Sequence, residues 1–355
     1  MEAIWWAHIT RARHFMEDVV RTLCEGSSMV LIVPEPFPWR ETFMEMTEEE
    51  LAVSGLGRRV DVISCPEEDP GEFLLNEYCG REKRAEYRYG VSYARFLGKS
   101  RDTVLGSRII WLKGVTGKYY GEWLDFIEDY IKEAQGCPSA IFVLEMTDAE
   151  LASKKGKKGI RKLEFRQCIN DYDRFAFCAL AATETGCQDY LHPYLAELAS
   201  DMCREDIELC AEAVREWNRF LKEPIGTLRW IEQTGHRNNG DSFRIALSDE
   251  ELGKRIWETQ LKTVFPAIEK YRSCLVIKYQ NQIMAGLPII NSHNEKIDSP
   301  EDVEIGDLWS MVKYREIEVI EQDAAAIEQC RSARNKLAHL STITFEEVAF
   351  LLKLY

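Results

Sequence analysis

Met29-Val-Leu-Ile-Val33, running on into Pro34-Glu-Pro-Phe-Pro-Trp39, is the stretch that decides the fold. Five consecutive apolar residues with neither helical nor alternating spacing mark a short strand buried on both faces. Upstream, Trp5, Ile9, Ala12, Met16, Val19, Val20 and Leu23 recur at helical spacing, and Gly26-Ser27-Ser28 stops that helix. Downstream, similar short runs stand at Val60-Asp-Val-Ile63, Arg108-Ile-Ile-Trp-Leu112 and Ala140-Ile-Phe-Val-Leu144. Helical stretches separate them, notably Tyr120 to Ala134 with Trp123, Phe126, Ile127, Tyr130 and Ile131 on one side. Alternating strand and helix signals predict a mainly parallel, helix-covered sheet over residues 1–150.

Ser153-Lys-Lys-Gly-Lys-Lys-Gly-Ile-Arg-Lys162 follows, basic and without apolar periodicity, and reads as a connector. Everything beyond it reads as helical, so the chain is an α/β N-terminal domain followed by an all-α C-terminal half. Residues 151–245 form a helical connector domain on this reading, and 246–355 a second helical domain. Gly235-His-Arg-Asn-Asn-Gly-Asp241 and Ser292-His-Asn-Glu-Lys-Ile-Asp-Ser-Pro300 are loops by their turn chemistry. Glu250 to Met284 predicts one long helix with Pro266 as its kink point. Gly306 to His339 predicts a helical unit broken once, and Thr344 to Leu354 a short terminal helix.

Length and charge bound the function. At 355 residues the chain is long enough for two or three cores, and 45% hydrophobic with 30% charged residues is a globular mixture. A net charge of −15 argues against a general nucleic-acid coat, leaving room for a local basic patch. No apolar run approaches a membrane span, and Met1-Glu-Ala-Ile-Trp-Trp6 lacks the basic start of an export signal. A cytoplasmic protein without membrane partners is expected. The eleven cysteines include no CxxC spacing, which predicts reduced, mostly buried thiols, no metal and no cofactor.

A helix-covered parallel sheet raises the question of nucleotide binding. A P-loop needs glycine N–H groups around phosphate, then a lysine and a hydroxyl, in the order GxxxxGK[ST]. After the first strand this chain has three prolines, which remove three donors, and Glu35, which repels phosphate. Arg40-Glu-Thr42 stands where a lysine-threonine pair would begin the next helix, a place for a residual anion site. Gly114-Val-Thr-Gly-Lys118 contains a GK pair, but Leu112 replaces the first glycine and Tyr119 the hydroxyl residue. ATP hydrolysis is not supported. The region nevertheless resembles a degenerate STAND-type or P-loop ATPase module, of the kind found in bacterial conflict systems, in strand order and length.

The most specific chemical signal is Arg331-Ser-Ala-Arg-Asn-Lys-Leu-Ala-His339, near the end of a helix. Arg331, Asn335 and His339 are spaced i, i+4, i+8 along one stripe, and Arg334 stands one residue round. Imidazole exchanges a proton near neutral pH and guanidinium stabilises phosphate charge, a combination suited to phosphodiester chemistry. A purely structural account also exists, because basic residues favour the last turn of any helix.

Arg334-Asn335-Lys-Leu-Ala-His339 resembles the signature of the HEPN superfamily, an arginine and a histidine four to six residues apart, often with Asn after the Arg. The resemblance implies a metal-independent ribonuclease with His339 as acid/base, Arg334 as phosphate stabiliser and Asn335 as a polar orienter. It also implies a homodimer that pairs the motif with its own copy. One departure is Ser341, where the toxin branch often carries a tyrosine, so a nucleotidyl-transfer switch is not supported. Arg255-Ile-Trp-Glu-Thr-Gln260 through Glu304-Ile-Gly-Asp-Leu308 is similar to C-terminal regions of large bacterial defence-associated proteins, which implies partners among such proteins.

Lys154, Lys155, Lys157 and Lys158, with Arg331, are the residues available to touch RNA phosphates, although a solvated linker explains the lysines as well. Residues 301–355 hold 11 acids against 6 bases, which weighs against tight RNA binding. Two readings stand on the sequence: a HEPN-type RNA endonuclease of an antiviral defence system, or a non-catalytic scaffold with a dead ATPase-like domain.

Overall fold

The computed structural model of the protein describes residues 1–88, 90–100, 104–135, 139–147, 157–165, 170–290 and 294–354. The chain divides into two compact units, Met1–Asp173 and Arg174–Tyr355.

The first unit is built on a sheet whose strands are β1 (Ser28–Ile32), β2 (Arg59–Ser64), β3 (Arg108–Lys113), β4 (Ile141–Met146) and β5 (Ile160–Glu164). All neighbours pair in parallel, in the order β2-β3-β4-β1-β5. The central β1 and β4 are buried along their whole length, as the unbroken apolar runs require. Edge strands β2 and β5 mix half-buried and exposed positions.

Helices α1 (Thr10–Cys24), α2 (Arg40–Val53), α3 (Pro70–Tyr78), α4 (Arg81–Glu86), α5 (Tyr93–Lys99) and α6 (Gly117–Glu133) complete this unit. Period-two alternation splits the strand residues between two cores. Val30, Ile32, Ile110, Leu112, Phe142 and Leu144 pack with Leu74, Leu97, Trp123 and Ile127 from α3, α5 and α6. An aromatic cluster of Trp6, Phe15, Phe37, Phe43, Trp111 and Phe165 forms the other core, under α1 and α2.

Strand β5 corrects the expected domain boundary. The α/β unit runs to Asp173 rather than ending near 150, because Ile160–Glu164 pairs with β1 from Ser28↔Ile160 to Ile32↔Glu164. Arg161 and Lys162 interrupt the apolar pattern of an edge strand, and that interruption made the segment read as linker.

Among its described residues the second unit is mainly helical, with the short antiparallel pair β6 (Ile289–Ile290) and β7 (Lys296–Ile297). Its helices are α7 (Asp171–Thr183, with the unit division in its first turn), α8 (His192–Cys203), α9 (Ile207–Arg215), α10 (Trp217–Lys222) and α11 (Pro224–Thr234). They continue with α12 (Asp249–Lys278), α13 (Gln280–Gly286), α14 (Ile305–Lys313), α15 (Glu321–Ala338) and α16 (Phe345–Lys353). Residues 174–355 form one unit, so the boundary expected at 245 is absent: α12 packs against α8 as well as against α15 and α16.

Ser248 starts α12 with a capping box to Glu251, and the helix continues through Pro266. The expected long helix is divided at Tyr279, where α13 begins. No helix of the described residues is long and apolar enough to cross a membrane. Cys79, Cys178, Cys187, Cys203, Cys210 and Cys330 are free and buried.

Candidate functional site

Helix α15 turns one stripe inward, Ala326, Ile327, Cys330, Ala333 and Leu337, and this leaves Arg331, Arg334 and Asn335 on its outer side. The inward stripe also carries Asp323, a buried carboxylate in the first turn. Lys278 Nζ donates to it at 2.7 Å, and the hydroxyls of Tyr271 and Tyr279 at 3.2 and 2.5 Å. Burial alone would push the Asp323 carboxyl up. Hydrogen bonds from Lys278, Tyr279 and Tyr271 outweigh it and hold the group below the usual carboxylate range.

The other end of α15 is closed by the chain that follows. Ser341 N–H donates to the Lys336 carbonyl (3.0 Å) and Leu340 N–H to that of Leu337 (3.3 Å), a Schellman pattern with Leu340 at φ 59°. Trp257 Nε1 of α12 donates to the Leu337 carbonyl at 2.8 Å. Gln260, buried in the same helix, exchanges two 2.9 Å hydrogen bonds with the backbone of Ile343. Lys336 Nζ meets Glu347 of α16 at 2.7 Å. His339 is the capping residue of this anchored turn; its imidazole is exposed.

A cleft of about 810 Å³ lies beside the motif, and its walls include Arg331, Arg334, Asn335, Trp309, Glu304 and Ile290. The Arg331 guanidinium carbon lies 3.8 Å from the centre of the Trp309 ring. Arg334 Nη2 pairs with Glu304 Oε2 at 2.9 Å, both side chains being partly solvated. The structure therefore gathers Arg331, Arg334 and Asn335 on one cleft and leaves His339 off its lining, at the helix end.

Of the basic cluster, Lys157 and Lys158 belong to the first unit. Lys157 is engaged by Glu128 and Asp125 at 2.8 and 2.9 Å, and those hydrogen bonds raise its pKa. Lys158 is exposed, and Lys154 and Lys155 lie outside the described residues. Trp309, Glu304 and Tyr314 are cleft residues that the motif did not reveal. Trp309 with Lys313, one turn apart on α14 with Nζ 4.6 Å from the ring, was the available signal.

The α/β unit has its own topological switch point. The connection leaving β1 passes β4 and β3 to reach β2, whereas the one leaving β4 passes β1 to reach β5. Neighbouring strands that send the chain opposite ways open a crevice at their carboxyl ends, where open α/β sheets bind ligands. Here Arg40, the first residue of α2, donates from Nε and Nη2 to the two Glu145 oxygens at 2.9 and 2.8 Å. Trp111 Nε1 adds a 2.6 Å bond to the same carboxylate, and Thr42 donates to Glu2. The expected residual anion site is thus filled from within, because a buried carboxylate on β4 occupies the guanidinium.

Compared with protein-family models, with curated proteins and with solved structures, the chain matches none.

Proposed function

We propose that this chain is a metal-independent RNA endonuclease of the HEPN type, acting as a homodimer within a bacterial conflict or antiviral defence system. The carrying observation is the position of His339: an exposed imidazole on a firmly closed helix end, with Arg334 and Asn335 on the helix side leading to it. In this reading His339 takes the proton from a ribose 2′-hydroxyl, whose oxygen attacks the adjacent phosphorus. The bond to the 5′-oxygen breaks, that oxygen is protonated, and a 2′,3′-cyclic phosphate remains. Arg334 neutralises the phosphate in the transition state, and Asn335 orients it. A second copy of the motif across a two-fold axis supplies the second acid/base.

Incubation of total cellular RNA with purified protein in EDTA tests this reading, with His339→Ala alongside. Cuts that survive chelation, carry cyclic phosphate ends and vanish in the variant support it. A folded dimer that leaves RNA intact rejects it for the isolated protein.

The Arg40–Glu145 pair favours a second reading in which the α/β unit is a scaffold for other defence proteins. With its guanidinium already held by Glu145, Arg40 is not available to a nucleotide phosphate. Titration with ATP and magnesium that produces no binding signal, together with intact RNA, would favour this alternative.

A further inference from the structure

Arg331 and Trp309 form a pairing that phosphodiester cleavage does not require. A guanidinium stacked 3.8 Å from an indole centre presents a flat, weakly hydrated cationic plane. Such planes stack unpaired nucleobases with little regard to base identity. Arg334, three residues further along α15, lines the same cleft and carries the charge that a phosphate needs, while Asn335 offers an amide donor and acceptor. The volume of about 810 Å³ falls in the range of small-ligand sites and accommodates a nucleotide.

Of the acids lining the cleft, Glu304, Asp307 and Glu316, the first two fit this arrangement. Glu304 holds Arg334 through a partly solvated ion pair at 2.9 Å, which a phosphate can displace. The Asp307 carboxylate accepts the Glu304 N–H at 3.0 Å and is committed to the start of α14.

We propose that this cleft is a nucleotide subsite: the base stacks on the Arg331–Trp309 pair, and its phosphate replaces Glu304 on Arg334. The identity of the occupant rests on the RNA reading above, but occupancy does not depend on cleavage. The nucleotide arrives either within a single strand or as a free mononucleotide.

A labelled 2′-O-methyl tetraribonucleotide, whose blocked hydroxyl prevents cutting, is titrated by fluorescence anisotropy into the full chain. Arg331→Ala should weaken binding about tenfold, the loss typical of one stacking plane, and Trp309→Leu should do the same. Arg331 is a partly exposed helix residue, so its variant keeps the test valid if Trp309→Leu fails to fold. Lys254→Ala, an equal loss of charge at an exposed position of α12, should change affinity less than twofold.

Competition then separates the two sources. A nucleoside 5′-monophosphate that displaces the tetranucleotide at similar concentration assigns the cleft to free nucleotide; displacement by oligonucleotide alone assigns it to a strand. Inorganic phosphate competing as well as the monophosphate would overturn the subsite, since no base would be stacked. So would unchanged affinity in Arg331→Ala, or no binding by the wild-type chain. Intact RNA in the EDTA assay alongside normal tetranucleotide binding would reject the nuclease alone.

Discussion

The indole N–H of Trp257 in α12 donates to the backbone carbonyl of Leu337, 2.8 Å away in the last turn of α15. Helix ends leave carbonyls without intrahelical donors, and here another helix supplies one. Together with the Gln260–Ile343 exchange, this bond fixes the turn that carries His339.

Trp257→Phe keeps an aromatic ring and deletes the donor. It should lower stability by about 1 kcal/mol, which for a unit of this size is about 2–4 °C in the melting midpoint. If the turn positions His339, RNA cutting in EDTA should fall in the same variant with little change in KM. An unchanged midpoint would remove this hydrogen bond from the account of the helix end.

Asp323 makes the anchoring of the opposite end of α15 depend on pH. Its folded pKa is depressed, so the stability it contributes is present above the unfolded value of about 4 and is lost as pH falls through the lower folded value. Asp323→Asn should cost about 1–2 kcal/mol at pH 7, a modest figure because its partner Lys278 is half exposed. Urea unfolding should show the difference from wild type shrinking as pH falls from about 5 through the acid range. A difference that stays constant over that range would refute the linkage.

Particular residues show why some of the architecture was legible and some was not. Met29–Val33 and Ala140–Leu144 announced themselves because a strand covered on both faces has no polar positions to confuse the pattern. Ile160–Glu164 did not, since its basic residues share an edge strand with apolar ones. Helical spacing placed Arg331 and Asn335 on one side of α15, but it did not show that the helix ends at Ala338 and leaves His339 as its capping residue, off the cleft those two line. Trp309 could not be paired with Arg331, nor Glu145 with Arg40, because tertiary packing rather than local order brings them together.

Leu340 carries a left-handed backbone at φ 59° while its side chain is 74% exposed. A residue with a Cβ is penalised there, and the exposed side chain has little burial to offset the penalty. Leu340→Gly should therefore stabilise the chain by about 0.5–1 kcal/mol, read as a higher urea midpoint at unchanged slope. A loss of stability would mean that Leu340 makes contacts in the assembled protein, and a concentration-dependent midpoint would reveal them.

At the α/β switch point, Glu145→Ala leaves the Arg40 guanidinium and the Trp111 indole without their shared acceptor. Removal of one member of a largely buried pair should destabilise by about 3 kcal/mol, and Arg40→Ala in the same chain should recover part of it. Strict additivity of the two substitutions would show that the pair is not coupled.

Glu304→Gln separates a structural ion pair from a functional one at Arg334. The side chains of that pair are 34% and 58% exposed, so its contribution to stability is about 0–1 kcal/mol and the variant should melt close to wild type. A unit charge removed within about 4 Å of a phosphate site in water is worth about 1 kcal/mol. Tetranucleotide affinity should then rise about two- to fivefold at low salt, with the gain shrinking as salt screens the lost charge. EDTA-resistant cutting should rise in parallel if Arg334 stabilises the transition state. Weaker binding would reverse the assignment, making Glu304 the group that positions Arg334 for phosphate rather than the one that competes with it.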